Sequence, residues 1–178
     1  ARIHATGGTQ ELPVITATLE MDDRVGGFVE DFKMGGTGEF CGLWNSLEVA
    51  GMGIGAVYLI RASIAIISQL GLTSMFALCS PHTARIASSY GFNIVKELGD
   101  NGKFYYPKLD LIATVVLLDN SSTLGSATDA EKEKIGSLRS NPNQTVHEVN
   151  RGREIDITYD LDIKNVDRQV FDFGEVKA

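Results

Sequence analysis

"EVAGMGIGAVYLIRASIAIISQLG" occupies residues 48–71 and joins three alternating glycines to a long apolar segment. From Gly53 to Leu70 the apolar residues recur with a helical period and cover most of the helix surface. This pattern predicts a helix that is buried on most sides and ends at Gly71, because glycine is the usual residue just past a helix C-terminus. The glycines before the helix leave its N-terminal backbone without side chains. The segments on either side of the helix indicate which function this backbone has.

The segments around this helix predict a compact α+β core. "GEFCGLWNSLEV" (38–49) and "LTSMFALCS" (72–80) have strand patterns, so the helix between them completes a β-α-β unit. A short helix is expected at 81–92, with Pro81 in its first turn and a glycine at its end. "LIATVVLL" (111–118) is the strongest strand pattern in the chain.

The N-terminal third predicts further strands. "PVITATLEM" (13–21) is rich in β-branched residues, and "VGGFVEDFKM" (25–34) is a second candidate strand between glycine-containing turns. Together with the strand expected at 38–49, these segments indicate an antiparallel meander.

The C-terminal part predicts an extension to the core. A capping box opens "TDAEKEKIGSLR" (128–139), which favours a surface helix, and "REIDITYDLDI" (153–163) alternates as a half-exposed strand does. We therefore expect one domain over 1–178, with a core at 11–118 and a helix-and-strand extension at 120–178. Its fold class is α+β, with a mixed, mostly antiparallel central sheet flanked by helices.

Composition excludes several function classes. The 178 residues carry a formal net charge of −7, which repels phosphate backbones, so no nucleic-acid partner is expected. The longest apolar run, 56–70, is interrupted by polar residues and is shorter than the ~20 residues that a bilayer requires, so no membrane partner is expected. Cys41 and Cys79 lie in apolar stretches and indicate buried thiols, and the three histidines lack metal-ligand spacing. With no signal peptide at the start of the chain, we expect a cytoplasmic protein without a metal.

The glycine cluster has more than one explanation. Glycines between a strand and a helix serve a tight turn with close packing, or they expose helix N-terminal amides to a phosphate. A nucleotide-hydrolysing P-loop is excluded because the run lacks Gly-Lys-Ser/Thr. Gly51, Gly53 and Ala56 satisfy the dinucleotide pattern G-x-G-x-x-G/A, but no acid ends the next strand, so a Rossmann oxidoreductase is a minor alternative.

The stretch "EVAGMGIGAVYLIRASIAIISQLGL…FALCSPHTARIASSYGF" resembles the core of the GCN5-related N-acetyltransferase superfamily over about residues 38–118. In that superfamily a strand leads to a pyrophosphate-binding turn, R/Q-x-x-G-x-G/A, whose second half matches Gly53 and Gly55. Ser80-Pro81 stands at the position of the superfamily's Asn-Pro, and Gly91-Phe92 at that of its closing Gly-Phe.

The resemblance implies an enzyme that moves an acyl group from acetyl-CoA or another acyl-CoA directly to an amine, either a small-molecule amine or an amino acid. Pantetheine would lie along the splayed strands at 38–49 and 72–80. Glu39 would act as the general base and Tyr90 as the acid for the leaving thiolate. The donor would contact Val49, Gly51, Met52, Gly53, Ile54, Gly55, Ala56 and Ser80.

Two departures from the superfamily pattern leave alternatives open. Ala50 stands where Arg or Gln is usual, which weakens the charge at the pyrophosphate and admits an acyl-carrier-protein-dependent N-acyl amino acid or acyl-homoserine-lactone synthase. Ala87 stands where the catalytic tyrosine is usual; Tyr90, Tyr105 and Tyr106 are the alternatives for the acid. Losing both groups is also consistent with a non-catalytic acyl-CoA-binding module.

The third departure is length. Superfamily members usually carry one strand and two helices before the meander, and the strands expected at 13–34 leave no room for them. We therefore expect the N-terminal helices to be absent from this chain. A longer polypeptide, a second subunit, a homodimer partner, or residues 120–178 would then complete the fold.

Overall fold

A computed structural model describes residues 1–44, 55–106, 108–150 and 152–164. Eight strands are present in this part of the chain: β1 (Arg2–Ala5), β2 (Thr37–Cys41), β3 (Ser74–Cys79), β4 (Asn93–Ile94), β5 (Lys103–Tyr106), β6 (Leu111–Leu118), β7 (Asn143–Asn150) and β8 (Arg153–Asp160). The same part of the chain forms five α-helices: α1 (Pro13–Thr18), α2 (Arg24–Lys33), α3 (Ala56–Ile66), α4 (Pro81–Ser88) and α5 (Asp129–Ser140).

The central sheet is mixed and mostly antiparallel, which confirms the fold class at that level. Its strands follow the order β1-β2-β3-β6-β4, and β5 also pairs with β6. The β2–β3 pair is parallel, and the other pairs are antiparallel. Because α3 lies between the two parallel strands in the chain, the predicted β-α-β unit is confirmed.

Hydrophobic cores cover both faces of the sheet. Val115 and Leu117 of β6 face a cluster formed with the first two helices, whereas Val116 and Leu118 face a cluster formed with α3 and α4. This division follows from the two-residue side-chain period of a strand. The strand expected at 111–118 is therefore confirmed as the centre of the sheet, buried on both sides over most of its length.

The apolar helix is confirmed and sits under the sheet. α3 continues as a 3₁₀ turn over Ile67–Leu70 and stops at Gly71, whose φ of 71° is the left-handed conformation that glycine adopts readily. Ile60 and Ile64 project from α3 into the core. Among the helices of the described ranges, none combines the length and apolarity needed to cross a membrane.

The predicted N-terminal meander is wrong: β1 and two helices occupy residues 2–33. In α2, Val25, Phe28, Val29 and Phe32 recur at helical spacing and pack on the sheet. Gly26 and its glycine neighbour have open space beyond their Cα atoms, so they lie on the outer side of a helix and mark no turn. Packing thus overrides the β-propensity of this segment.

The expected absence of N-terminal helices is therefore also wrong. α1 starts at Pro13, a residue that fits the first helical turn, and packs Val14 and Ile15 into the same core as α2. Because β1, α1 and α2 are present in this chain, the sequence no longer gives a reason to expect that a second subunit completes the fold.

The C-terminal extension docks on α3. The N-cap at Thr128 is confirmed, since Thr128 Oγ1 accepts a hydrogen bond from Glu131 N at 3.4 Å. The reciprocal half of the capping box is not formed, because Thr128 N donates to the Ser89 carbonyl oxygen and the Glu131 carboxylate binds Arg61. The strand expected at 153–163 is β8, and its antiparallel partner β7 was not predicted. Arg61 of α3, 2% exposed, holds the extension against α3 through two ion pairs. It lies 2.9 Å from the carboxylate of Glu131 on α5 and 2.5 Å from that of Glu148 on β7.

Candidate functional site

The parallel strands β2 and β3 separate partway along their length. Cα partners run from Thr37 with Ser74 to Glu39 with Phe76. β2 continues to Cys41 and β3 to Cys79, but in the described residues no pair joins the two strands beyond Glu39 and Phe76. A gap therefore opens between the C-terminal ends of the strands, with Glu39 and Phe76 at its apex.

A cavity of about 300 Å³ lies at this gap. The strand ends line it with Phe40, Cys41, Ala77, Leu78 and Cys79, and the loop after β2 adds two more residues. Helices α3 and α4 cover it with Ile60, Thr83 and Ala87. A volume of this size, apolar walls and a few polar groups are typical of a small-molecule site.

Ser80, one of the predicted donor contacts, lines this cavity. Its side chain caps α4, because Ser80 Oγ accepts a hydrogen bond from Thr83 N at 3.2 Å and lies 3.1 Å from Thr83 Oγ1. Ala87, one turn further along α4, also lines the cavity. Ala87, which the sequence resemblance aligned with the superfamily's tyrosine, therefore contributes a methyl group to the cavity wall.

The glycine cluster is described only at its end. Gly55 immediately precedes α3 and has a φ of 108°, a backbone conformation that residues other than glycine rarely adopt. Ala56 begins that helix, one turn before Ile60 of the cavity wall. The other predicted donor contacts, Val49, Gly51, Met52, Gly53 and Ile54, lie outside the described residues.

Glu39 is a buried carboxyl group at the apex of the gap. It is 1% exposed, and its Oε2 accepts a hydrogen bond from Val14 N at 2.6 Å, near the start of α1. Burial raises the pKa of Glu39 from 4.5 to about 7, while the Val14 bond and the charge of Arg2 act in the opposite direction. A carboxyl group with a pKa near 7 can accept a proton at neutral pH.

Polar groups on neighbouring strands surround Glu39. His4 is its cross-strand partner on β1, so the two side chains project from the same face. Burial and the charge of Glu39 raise the pKa of Tyr106, whose hydroxyl donates to the carbonyl oxygen of Ala17 at 2.9 Å. Tyr106, one of the alternative acids, is thus engaged on the helix α1 side of the sheet. The Glu39 carboxyl, which accepts from Val14 N, lies on this same side. The cavity lies on the other side, against α3 and α4, and neither Glu39 nor Tyr106 is among its lining residues.

Tyr90, the predicted acid, is not among the residues that line the cavity. It is 4% exposed and belongs to the core cluster beneath α3. Burial, with the charge of Glu131, raises the pKa of Tyr90 above its ordinary range, while Arg61 opposes this rise. The structure therefore groups Tyr90 with the ion pairs that hold the C-terminal extension.

The two cysteines are free thiols, each half-buried. Burial raises the pKa of Cys79 to about 11, so its sulfur is protonated at neutral pH and a poor nucleophile. Arg2 Nε lies 3.4 Å from Cys41 Sγ, which turns that thiol toward β1. In the described ranges, no group of three or more His, Cys, Asp or Glu side chains could hold a metal ion.

Several residues at the cavity were not predicted. Phe40 and Ala77 reach it because the strands diverge, and Thr83 reaches it because Ser80 caps the helix that carries it. Only the capping position has a recognisable sequence signal, a serine before Pro81. The divergence of the two strands has no local signal in the sequence and was expected only from the resemblance.

Comparison of the chain with protein-family models, with curated proteins and with solved structures finds no match.

Proposed function

We propose that this chain is an N-acyltransferase of the GCN5-related type, which moves an acyl group from a coenzyme A thioester to an amine. The observation that carries the proposal is the gap between β2 and β3, which has a cavity on one side and the buried carboxyl of Glu39 at its apex. An extended pantetheine arm fits such a gap, because past the last pair neither strand hydrogen-bonds to the other and their facing backbone groups can bind its amides.

The order of elements supports the same proposal. The resemblance implies a strand and two helices, then a strand leading into the glycine turn and its helix, and then a second strand leading to a short helix. β1, α1 and α2 supply the first part, and β2, α3, β3 and α4 supply the second. The strand and two helices are therefore present, but the meander that the superfamily carries after them is absent from the described residues between α2 and β2, and this departs from the superfamily pattern.

The reaction would proceed by direct attack. The amine nitrogen forms a bond to the thioester carbon, the carbon–sulfur bond breaks, and the sulfur leaves as a thiolate. Glu39, ionised above its pKa of about 7, takes the proton lost by the amine. Because the Glu39 carboxyl projects to the α1 side of the sheet, where it is bound to Val14 N, and does not line the cavity, a water molecule would have to relay that proton. The Ser80 and Thr83 hydroxyls line the cavity wall, and under this proposal they would be available to the departing sulfur.

A second candidate function is a non-catalytic acyl-CoA-binding module. Two observations favour it: Ala87 at the cavity wall cannot protonate a thiolate, and Tyr90 is held elsewhere. Both candidates require coenzyme A in the gap, and they differ only in whether free thiol is released.

The test is a thermal-shift titration with coenzyme A, acetyl-CoA, a long-chain acyl-CoA and NADH. Thr83→Trp fills the cavity, and His82→Trp, at the neighbouring exposed position, is the matched control. We expect a coenzyme A species to raise the melting temperature of the wild type and of His82→Trp but not of Thr83→Trp. The absence of any shift with coenzyme A species would contradict both candidates, and a shift with NADH alone would favour an oxidoreductase.

Thiol release separates the two candidates. An acetyl-CoA assay with a panel of amines and a thiol-reactive dye is expected to show turnover that rises with pH through about 7, as Glu39 ionises. Glu39→Gln is expected to lower this turnover at least about a hundredfold while retaining the thermal shift. Binding without thiol release by the wild type would assign the chain to the binding module.

A further inference from the structure

A second cavity, of about 420 Å³, lies on the opposite face of α4. Pro81, Ala84, Arg85 and Ser88 recur at the i, i+3, i+4, i+7 spacing of one helix face and line it. Thr83, which lines the first cavity, lies on a different face of the same helix. Helix α4 thus separates two cavities that share Phe92.

Cationic side chains line this second cavity. Arg85, Lys96 and Lys103 all contribute to its wall, and none of its lining residues is acidic. Over the described part of the chain, no ion pair joins these three cations to a carboxylate. In a chain of net charge −7, this is a local concentration of uncompensated positive charge.

The floor of the cavity holds a buried hydroxyl group without a partner. Thr114 on β6 is 1% exposed, and its Oγ1 has no hydrogen-bond partner among the described residues. Lys103 is its cross-strand partner on β5, so the ammonium group and the hydroxyl project from the same face of the sheet. A buried hydroxyl left unpaired costs free energy, and a ligand that accepts its hydrogen bond recovers that cost.

We propose that this cavity binds a phosphate monoester of a small organic molecule. A dianion with three terminal oxygens suits three cations and one hydroxyl donor, because hydrogen bonds between ionised groups are the strong ones. A phosphate group alone leaves much of the 420 Å³ empty, and the apolar side chains of Phe92 and Ile94 provide contacts for an organic part. The site is independent of the proposed acyl transfer.

The test is isothermal titration calorimetry of the full chain with phenyl phosphate, inorganic phosphate and benzoate, in buffer free of phosphate. We expect phenyl phosphate to bind one to one, more tightly than the other two probes and more weakly as salt is added. Equal binding of benzoate would overturn the phosphate preference. Equal binding of inorganic phosphate would overturn the organic part of the ligand.

Variants locate the binding. Arg85→Gln with Lys103→Gln is expected to weaken phenyl phosphate binding at least about tenfold, whereas Lys108→Gln, an exposed control, leaves it unchanged. Thr114→Val removes the hydroxyl at nearly constant volume, so it is expected to weaken binding several-fold without lowering the melting temperature. An unchanged affinity in both the double variant and Thr114→Val would refute the site.

A final variant separates this inference from the proposed function. Thr83→Trp fills the first cavity only, so it is expected to retain phenyl phosphate binding even where coenzyme A no longer binds. Loss of phenyl phosphate binding in Thr83→Trp would place the phosphate in the first cavity and overturn the second site. Binding of phenyl phosphate by a wild type that ignores coenzyme A would refute the proposed function and leave this site standing.

Discussion

Replacing Glu39 with glutamine is expected to stabilise the protein at alkaline pH and to leave its stability nearly unchanged at pH 5. Burial holds the pKa of Glu39 at about 7 in the folded protein, against an ordinary value of 4.5 that we take for the unfolded chain. Between these two values the folded protein binds a proton that the unfolded chain has released. The free energy of unfolding therefore falls as pH rises through this window and is constant above it.

The size of the effect follows from the same values. A rise from 4.5 to about 7 corresponds to about 3 kcal/mol of unfolding free energy, which the wild type loses as pH rises from below 4.5 to above 7. Glutamine has nearly the same shape, and its carbonyl oxygen can accept the hydrogen bond from Val14 N. Since glutamine does not ionise, Glu39→Gln should exceed the wild type by about 3 kcal/mol at pH 8.

The assay is urea denaturation of both proteins at pH 5, 6, 7 and 8, evaluated as the difference in unfolding free energy. Titrating groups far from position 39 are common to both proteins and cancel in this difference. Glu20→Gln, at an exposed position near the end of α1, is the matched control. A variant that is less stable than the wild type at pH 8, or a difference that does not change with pH, would refute the assignment of a raised pKa to Glu39.

Three other sets of substitutions are expected to change either the free energy of unfolding, measured by urea denaturation, or the rate of thiol release. Gly99→Ala should lower the free energy of unfolding by more than about 2 kcal/mol, because φ of Gly99 is +55° and the new Cβ would lie 2.5 Å from the Lys103 carbonyl oxygen. Gly26→Ala, whose new Cβ would lie in open space on α2, should raise it by about 0.5–1 kcal/mol. Arg61→Met should cost about 3 kcal/mol, since it leaves the partly buried Glu131 without an ion-pair partner and Glu148 with Lys134 alone, and changing both glutamates to glutamine should recover most of that loss. Ala87→Tyr should raise thiol release above Ala87→Phe if thiolate departure limits the reaction, and equal rates in the two variants would exclude that limit.

The elements that the sequence predicts correctly are those specified by local patterns. The helix that ends at Gly71 and the strand at 111–118 have long apolar periods, and the cap at Thr128 is a four-residue signal. In each case the residues that decide the structure are neighbours in the chain. The conformation therefore depends little on what packs against them.

The N-terminal error has the opposite origin. The segment 13–18 is rich in β-branched residues and forms a helix only because Val14 and Ile15 are buried against the sheet and α2. In α2 the glycine pair suggested a turn, although the apolar residues around it keep the helical spacing. Tertiary packing decides both segments, and a sequence window contains no record of it.

The site was predictable only where one segment forms it. Ser80 reaches the cavity because a helix cap fixes its position within four residues. Tyr90 was placed by analogy with a catalytic tyrosine, yet its surroundings come from Arg61 and Glu131, which are distant in the chain. The second cavity joins Arg85 of α4, Lys96 of the turn after β4 and Lys103 of β5, so only the folded chain brings these cations together.

The burial of a carboxyl group at position 39 needs a reason beyond structure. As a hydrogen-bond acceptor for Val14 N, glutamine would serve equally well without the cost of burying an ionisable group. That cost, about 3 kcal/mol above pH 7, is a large fraction of the stability of a typical domain. Unlike glutamine, the carboxyl can exchange a proton near neutral pH, and it lies where β2 and β3 part. We infer that Glu39 is retained for proton transfer, so a variant that gains stability at pH 8 should lose turnover at the same pH.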